Sequence, residues 1–205
     1  MAYVLGFFVA DGYMTVNKRG AHFWNIQITD EKLLISIKNI LKSDHKISIR
    51  KGKGNEQDLY RLQIGSKETY NDLYNLGMRP NKTKSLVIPN VPNKYFPDFV
   101  RGYFDGDGHV WTGAINKERL KSHIVIQTVF TSCSNKFLEI IKEKLELFFI
   151  EKGVLRKGKG GYFRLVYSIN GSLKLYDFMY NNLGTSKLFL KRKKDVFEKY
   201  KRMRV

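Results

Sequence analysis

Two aspartates in this chain stand in the same short setting. Val4-Leu5-Gly6-Phe7-Phe8-Val9-Ala10-Asp11-Gly12 opens the sequence, and Val100-Arg101-Gly102-Tyr103-Phe104-Asp105-Gly106-Asp107-Gly108 stands in mid-chain. Both run glycine, two aromatics, a variable position, a small residue, then Asp-Gly, and Asp107 stands 96 positions after Asp11 (107 − 11). Each apolar run reads as a helix. Gly6 and Ala10 in the first, and Gly102 and Gly106 in the second, lie four apart, so each helix carries a strip of small residues on one side. Such strips let two helix backbones approach closely. Paired along them, the helices bring Asp11 and Asp107 out side by side, where two carboxylates repel unless a cation lies between them. A hard divalent ion such as Mg²⁺, holding few protein ligands and several open positions, suits that donor set. Ions of this kind hydrolyse phosphodiesters by activating water, holding the scissile phosphate and stabilising the leaving oxygen.

Taken singly, neither motif means much. An apolar helix ending in Asp-Gly is ordinarily a capped helix and no more. Asp105-Gly106-Asp107-Gly108 does not continue into the acids and terminal Glu of a calcium loop, and Phe7, Phe8, Tyr103 and Phe104 read as core. The duplication separates the two aspartates from these readings, and it extends downstream. Arg50-Lys51-Gly52-Lys53-Gly54 recurs letter for letter as Arg156-Lys157-Gly158-Lys159-Gly160. Tyr60-Arg61-Leu62 is echoed by Phe163-Arg164-Leu165, and Leu76-Gly77 by Leu183-Gly184, in the same order.

The elements that position these residues read, in each unit, as helix, two strands, helix, two strands, helix. In the first unit Ala2 to Val9 is helical, with Gly12 suited to cap its end. Tyr13 to Val16 and His22 to Thr29 form a hairpin, and Thr29-Asp30 caps a helix over Glu31 to Leu41 with one apolar stripe. Lys46 to Arg50 and Leu59 to Ile64 form a second hairpin, and a helix over Lys67 to Leu76 ends at Gly77. The second unit repeats this with strands at Val110 to Ala114, His123 to Thr131, Gly153 to Arg156 and Tyr162 to Asn170. Its later helices span Asn135 to Glu151, Ser172 to Asn181 and Leu190 to Arg202. Ile88-Pro89-Asn90-Val91-Pro92-Asn93 holds two of the 4 prolines and reads as a linker. The expected division is residues 1–88, a linker 89–95, and 96–205.

With 205 residues the chain is long enough to bury a real core. Lys and Arg total 37 against 19 Asp and Glu, a formal net charge of +18, and the sequence pI is near 9.9. A field of that sign draws polyanions, and so basic a chain carries the electrostatic footprint of a nucleic-acid binder. The basic residues are spread along the chain and not gathered on one amphipathic helix, which argues against a membrane-surface protein. No apolar run approaches the roughly 18 residues of a membrane span, and no signal peptide is recognisable. The chain opens inside its first element, which raises the expectation of an upstream extension. One cysteine, Cys133, excludes an internal disulfide and a cysteine-based metal cluster. An intracellular location follows as an expectation, bacterial cytoplasm and organelle being equally open.

The two motifs resemble those of the monomeric, two-motif LAGLIDADG homing endonucleases, and the resemblance spans essentially all 205 residues. Phe99 to Gly108 is the nearer match; the first motif has Val9 where many members carry an acid, at a position the family does not use catalytically. The resemblance implies an α+β protein of two pseudo-symmetric αββαββα halves whose antiparallel sheets form a saddle over DNA. It implies Asp11 and Asp107 as catalytic metal ligands, assisted by the carbonyls of Ala10 and Gly106, with Mg²⁺ as cofactor and Mn²⁺ or Ca²⁺ able to occupy the same sites. A lysine commonly completes each half-site: Lys82, with Lys84 in reserve, in the first half, and Lys191, with Lys187 and Lys193 possible, in the second. Asp30 and Asn135 stand where the family often orients a water.

Strands alternate one face to the helices and the other to DNA. On that reading Asn25, Gln27, Arg61 and Gln63 in one half, and Gln127 and Arg164 in the other, are the base readers, amides suiting adenine and Arg guanine. Arg50, Lys53, Arg156 and Lys159 at the hairpin tips grip phosphates. The expected function is therefore site-specific, metal-dependent cleavage of double-stranded DNA at a long asymmetric target by a monomer. The alternatives are an intron maturase, a splicing cofactor binding its own intron RNA, and a cleavage-dead DNA-binding regulator.

Overall fold

Tyr3, Val4, Phe7, Phe8 and Val9 are all buried, so the first helix is apolar around most of its circumference, as a helix enclosed by other elements must be. In the computed structural model, which describes residues 1–80, 86–115, 123–181, 183 and 187–204, this helix is α1, Ala2–Asp11. It is followed by β1 (Gly12–Val16), β2 (His22–Ile28), α2 (Glu31–Ile40), β3 (Ile47–Arg50), β4 (Leu59–Gly65) and α3 (Lys67–Asn75). The same order then recurs as α4 (Phe96–Asp107), β5 (Gly108–Ile115), β6 (His123–Ser132), α5 (Asn135–Leu147), β7 (Val154–Lys157), β8 (Phe163–Tyr167) and α6 (Ile169–Tyr180), with α7 (Lys191–Met203) added. The αββαββα order is thus present twice, in an α+β chain.

Each set of strands forms one antiparallel sheet, ordered β1-β2-β4-β3 and β5-β6-β8-β7. By contacts the chain groups into two units, Met1–Gly106 with Gly184–Leu188, and Asp107–Leu183 with Phe189–Val205. In the first unit Met14, Trp24, Ile26, Leu62 and Ile64 line the covered face of the sheet, under Leu33, Leu34 and Ile37 of α2. Trp24 fixes α3 by donating from Nε1 to Thr69 Oγ1 at 2.8 Å. In the second unit Ile126, Phe130, Leu165 and Tyr167 meet Phe137, Leu138 and Ile141 of α5 and Leu175 and Met179 of α6. Among the described residues no helix is long and apolar enough to cross a membrane.

Local chemistry explains most boundaries. Asp30, Ser66 and Ser134 cap α2, α3 and α5 by accepting from Leu33, Thr69 and Phe137 N–H. Gly77, at φ +92, ends α3 in a left-handed turn in which Met78 N–H donates to Leu73 O. Gly12 ends α1 differently from expectation. Its backbone is extended (φ −82, ψ 153), and glycine is needed for space, since a Cβ would run into the Phe8 ring. Two elements are shorter than their patterns. β8 stops at Tyr167, and α6 starts at Ile169, because the Ser172 hydroxyl donates to the Tyr167 carbonyl at 3.1 Å and turns the chain. α5 stops at Leu147, where Phe149 takes a left-handed φ of 60 and Ile150 N–H donates to Leu145 O.

The element that organises the first unit is the meeting of α1 with α4. A Cβ on Gly6 would strike the Phe99 carbonyl and the Tyr103 nitrogen; one on Gly102 would strike the Tyr3 carbonyl and the Phe7 nitrogen. The collision partners are backbone atoms, which cannot rotate away. Gly6→Ala or Gly102→Ala should therefore destabilise the protein by about 2–3 kcal/mol, the range for overpacking. A melting point roughly 5–10 °C lower, read by thermal unfolding, is the expected result for a chain of this size.

Candidate active site

Contact between the two motif helices continues to their C-terminal ends. A Cβ on Gly106 would collide with the Ala10 methyl and come within 3.1 Å of Asp11 Oδ2. The strips expected at Gly6 and Ala10, and at Gly102 and Gly106, therefore do face each other. Asp11 is the last residue of α1 and is exposed; Asp107, the residue after Gly106, is the last of α4. Ala10 and Gly106 are half-buried, and their carbonyls belong to the unsatisfied C-terminal turns of their helices, which favour positive charge.

Behind these ends lies a buried polar cluster that the motif pattern did not assign. Arg101 is 0% exposed; its guanidinium pairs with Asp98, donates from Nε to the Leu188 carbonyl at 2.8 Å, and lies 5.4 Å from the Tyr3 ring centroid. Asp105, 2% exposed, accepts from the Tyr3 hydroxyl at 2.7 Å. Buried charges persist only when paired and hydrogen-bonded, so α4 is tied both to α1 and to the segment preceding α7. Val9 and Leu5, the counterparts of Asp105 and Arg101 in the first motif, carry no polar group, and that asymmetry was the available signal.

The lysines separate clearly. Lys82 and Lys84 lie outside the described residues. Lys191 is exposed and its Nζ is held by Asp195 Oδ2 at 2.7 Å, which raises its pKa. Lys193 instead is buried, with Phe197 and Tyr200, on the covered side of α7, and its Nζ donates to the Gly108 carbonyl at 2.6 Å, one residue beyond Asp107. Lys187 is exposed with a left-handed φ of 43, directly before the Leu188 carbonyl gripped by Arg101. Burial, and then the charges of Lys193, Arg164 and Arg192, hold the His109 imidazole below its usual pKa. Asp30 is engaged as the α2 cap (Leu33 N, 2.9 Å), and Asn135 Nδ2 donates to Glu139 Oε1 at 2.5 Å. Both have local roles at helix starts.

The candidate base readers fall on the open face of their sheets. Register places Gln27 beside Arg61, and Asn25 between Tyr13 and Gln63. Gln27 and Gln63 are half-buried and Arg61 is exposed, its Nε donating to Ser48 Oγ at 3.3 Å. Asn25 departs from the expected reader: it is only 2% exposed, and its Oδ1 finds no hydrogen-bond partner among the described residues. In the second sheet Gln127 is exposed beside Trp111, and Arg164, beside Thr131, donates to the Tyr162 hydroxyl at 3.0 Å. The first hairpin tip is organised by Asp58, which binds Lys51 Nζ at 2.6 Å and Gly52 N–H at 3.1 Å, while Arg50 and Lys53 point to solvent-exposed positions. In the second tip Gly160 (φ 95) and Gly161 (φ 81) make the turn between exposed Arg156 and Lys159 and strand β8.

Residues 98–180 match the family model described as a LAGLIDADG-like domain. The LAGLIDADG fold extends over the whole chain: it is similar to meganuclease I-SmaMI bound to uncleavable DNA (TM-score 0.67, 14% identity, 98% of this chain and 88% of that one). A further structure of I-SmaMI, with an uncleaved DNA target in the presence of calcium ions, gives TM-score 0.66 at 12% identity, covering 98% and 89% of the two chains. The LAGLIDADG meganuclease I-AabMI bound to uncleaved DNA gives 0.63 at 18% identity, covering 98% and 88%. In sequence, 100 residues are 34% identical to the probable translation initiation factor IF-2 of Thermococcus kodakarensis, 46% of this chain and 7% of that protein. The replication factor C small subunit of Methanocaldococcus jannaschii is 23% identical over 184 residues, 89% of this chain and 9% of that protein. The chain thus spans less than a tenth of the length of these relatives.

Lys191 and Lys193, both on α7, should behave differently on replacement. Lys191→Ala, at an exposed ion pair, should leave the unfolding midpoint unchanged. Lys193→Ala strips a buried hydrogen bond from the Gly108 carbonyl and should cost about 1–3 kcal/mol, measured by chemical denaturation of the two variants side by side.

Proposed function

We propose that this chain is a site-specific endonuclease that cleaves both strands of a long asymmetric DNA duplex, using divalent metal held by Asp11 and Asp107. The observation that carries the reading is the reciprocal crossing at Gly6 and Gly102, which runs on to Ala10 and Gly106 and so delivers one acid at the end of each motif helix. A basic chain, two antiparallel sheets with polar open faces, and fold neighbours solved with DNA support it. Matches confined to small parts of two proteins with unrelated names further suit a module that travels independently of its host.

The residues present fit a hard divalent cation. Among the described residues no three His, Cys, Asp or Glu side chains gather to hold a metal by themselves. The donors on offer are two carboxylates and helix-end carbonyls, the Ala10 and Gly106 carbonyls among them, and Mg²⁺ commonly binds through one or two carboxylates plus water and substrate phosphate. When bound, the ion would supply charge neutralisation at the scissile phosphate and a water of lowered pKa. The chain's own residues do the rest. Asp11 and Asp107 would each bring a carboxylate to the ion from the end of a motif helix. In the second half, Lys193, anchored at the Gly108 carbonyl, takes the place first expected of Lys191, with Lys187 as the exposed alternative. Gln27, Arg61, Gln63, Gln127 and Arg164 contact base edges, and Arg50, Lys53, Arg156 and Lys159 contact phosphates.

Cleavage of a randomised duplex library in Mg²⁺, followed by sequencing of the cut members, tests the reading. The wild-type chain should cut a narrow set of long sites, and chelation should stop it. Asp11→Asn and Asp107→Asn should each lower the cleavage rate by at least about a thousandfold, the loss of several kcal/mol of charge stabilisation, while still binding the same duplex in Ca²⁺. Duplex binding without cutting in either Mg²⁺ or Mn²⁺ would falsify the nuclease assignment. Affinity should also fall steeply between 50 and 200 mM salt, by about 10³-fold or more if six or more phosphates are contacted.

A further inference from the structure

The two tryptophans are used in opposite ways. Trp24 is buried and its Nε1–H is satisfied by Thr69, the usual state of a core tryptophan. Trp111 is 43% exposed, on the open face of the second sheet. Its indole lies along β5 over Gly113, where any Cβ would strike Cζ2, Cη2 and Cε2 of the ring. Glycine thus makes a shelf that keeps the ring flat against the strand. Register sets Gln127 beside Trp111 and Val125 beside Gly113. Beyond β6, Val129 stands beside Val166, and Val166 beside Val154. The result is an apolar strip, with Arg164 and Arg156 paired on the same face toward the basic hairpin tip. The first sheet differs in carrying no tryptophan there: its open face offers Gln27, Arg61, Gln63, Ser48 and Arg50, with Tyr13, Phe23 and Leu59 beside them. Among the described residues, nothing accepts a hydrogen bond from Trp111 Nε1–H.

We infer that Trp111 and Val125 read a thymine in the half of the duplex facing the second sheet, an inference that rests on the endonuclease reading above. In the major groove only thymine sets a 5-methyl group beside a carbonyl acceptor, O4. An apolar surface with one N–H donor at its edge complements that pair of features. A 5-methylcytosine offers the same methyl beside an N4–H₂ donor, which opposes the indole N–H, so the strip selects thymine of the two. The neighbouring arginines supply the charge that seats the groove wall against the sheet. Trp111 is four residues along β5 from Asp107, roughly 13 Å at the rise of a strand.

Bound duplexes are selected from a random library by the full chain in Ca²⁺, and by Trp111→Ala and Trp111→Phe, and then sequenced. The wild type should enrich thymine at one position of one half-site, and Trp111→Ala should lose that preference while keeping the others. On the selected duplex, replacing that thymine by deoxyuridine removes one methyl and should weaken wild-type binding about 4-fold, the value of one buried carbon, and leave Trp111→Ala binding unchanged. Trp111→Phe keeps the apolar face without the donor, so it should still discriminate thymine from uracil but tolerate 5-methylcytosine better than the wild type. Equal wild-type affinity for the thymine and uracil duplexes, or retention of the thymine preference by Trp111→Ala, overturns the assignment while leaving the endonuclease reading standing. Failure of the wild type to enrich any duplex overturns both.

Discussion

The architecture of the first unit depends on one constraint, the distance between two helix backbones. At Gly6 and Gly102 the main chains of α1 and α4 touch, with no room for a side chain on either partner. Because Gly6 meets residues 99 and 103 while Gly102 meets residues 3 and 7, a single offset of 96 relates both contacts. A pair related in this way is symmetric whichever helix is taken first. Dispersion between close-packed backbones, individually small and collectively large, is only gained if the helices hold their axial register. Sliding either helix would drive a carbonyl into a Cβ. The acids at the two helix ends inherit that register, so their placement needs no loop to define it.

Polar burial adds a second lock, and only one motif carries it. Placing the Arg101 guanidinium in a fully buried position costs several kcal/mol unless its donors are satisfied, and Asp98, the Leu188 carbonyl and the Tyr3 ring together surround it. Tyr3 serves both charges at once, its ring beside Arg101 and its hydroxyl on Asp105. The cluster therefore measures whether α1, α4 and the segment before α7 are all in place. Lys193 makes a comparable demand on α7, since its ammonium reaches the Gly108 carbonyl only if the helix lies against β5. Such contacts contribute specificity of arrangement more than net stability, because apolar residues of similar volume would often be as stable.

Most of this was legible in the residues, for a reason that also explains the failures. The repeat, the helix ends at Asp30, Ser66, Ser134 and Gly77, and the paired small residues are all set by short-range chemistry, which a sequence displays directly. The boundaries that were missed depend on partners far from helix-forming preference. Phe149 takes a left-handed turn where no glycine announces one, and Ser172 ends β8 through a hydroxyl bonded to Tyr167. Gly12 was read as a conformational glycine and proved to be a spatial one, because the Phe8 ring that fills its Cβ position is a full helical turn away. Lys193 was hidden in a basic run; only its spacing from Phe197 and Tyr200, four and seven residues, marks it as lying on the covered side of α7. Asn25 shares its alternation with Gln27, and the pattern alone gave no sign that it would be nearly inaccessible.

The contrast between the motif helices and the sheets follows from the same physics. Along α1 and α4, Gly6 and Gly102 are held by backbone collision and Gly106 by the Ala10 methyl, so neither helix can gain bulk there. On the open faces of the sheets the exposed positions tolerate change, whereas Asn25, Val129 and Val166 are buried there. Phe23 and Gln127 occupy equivalent places in β2 and β6, as do Asn25 and Val129, judged from the pairing of Gly12 with Ile26 and of Gly108 with Phe130. A side chain on such a face alters little buried area, and its replacement ordinarily shifts stability by no more than about 0.5 kcal/mol. Two halves of common origin can therefore keep one geometry at the motif helices while presenting Gln27 and Gln63 on one sheet and Trp111 with valines on the other.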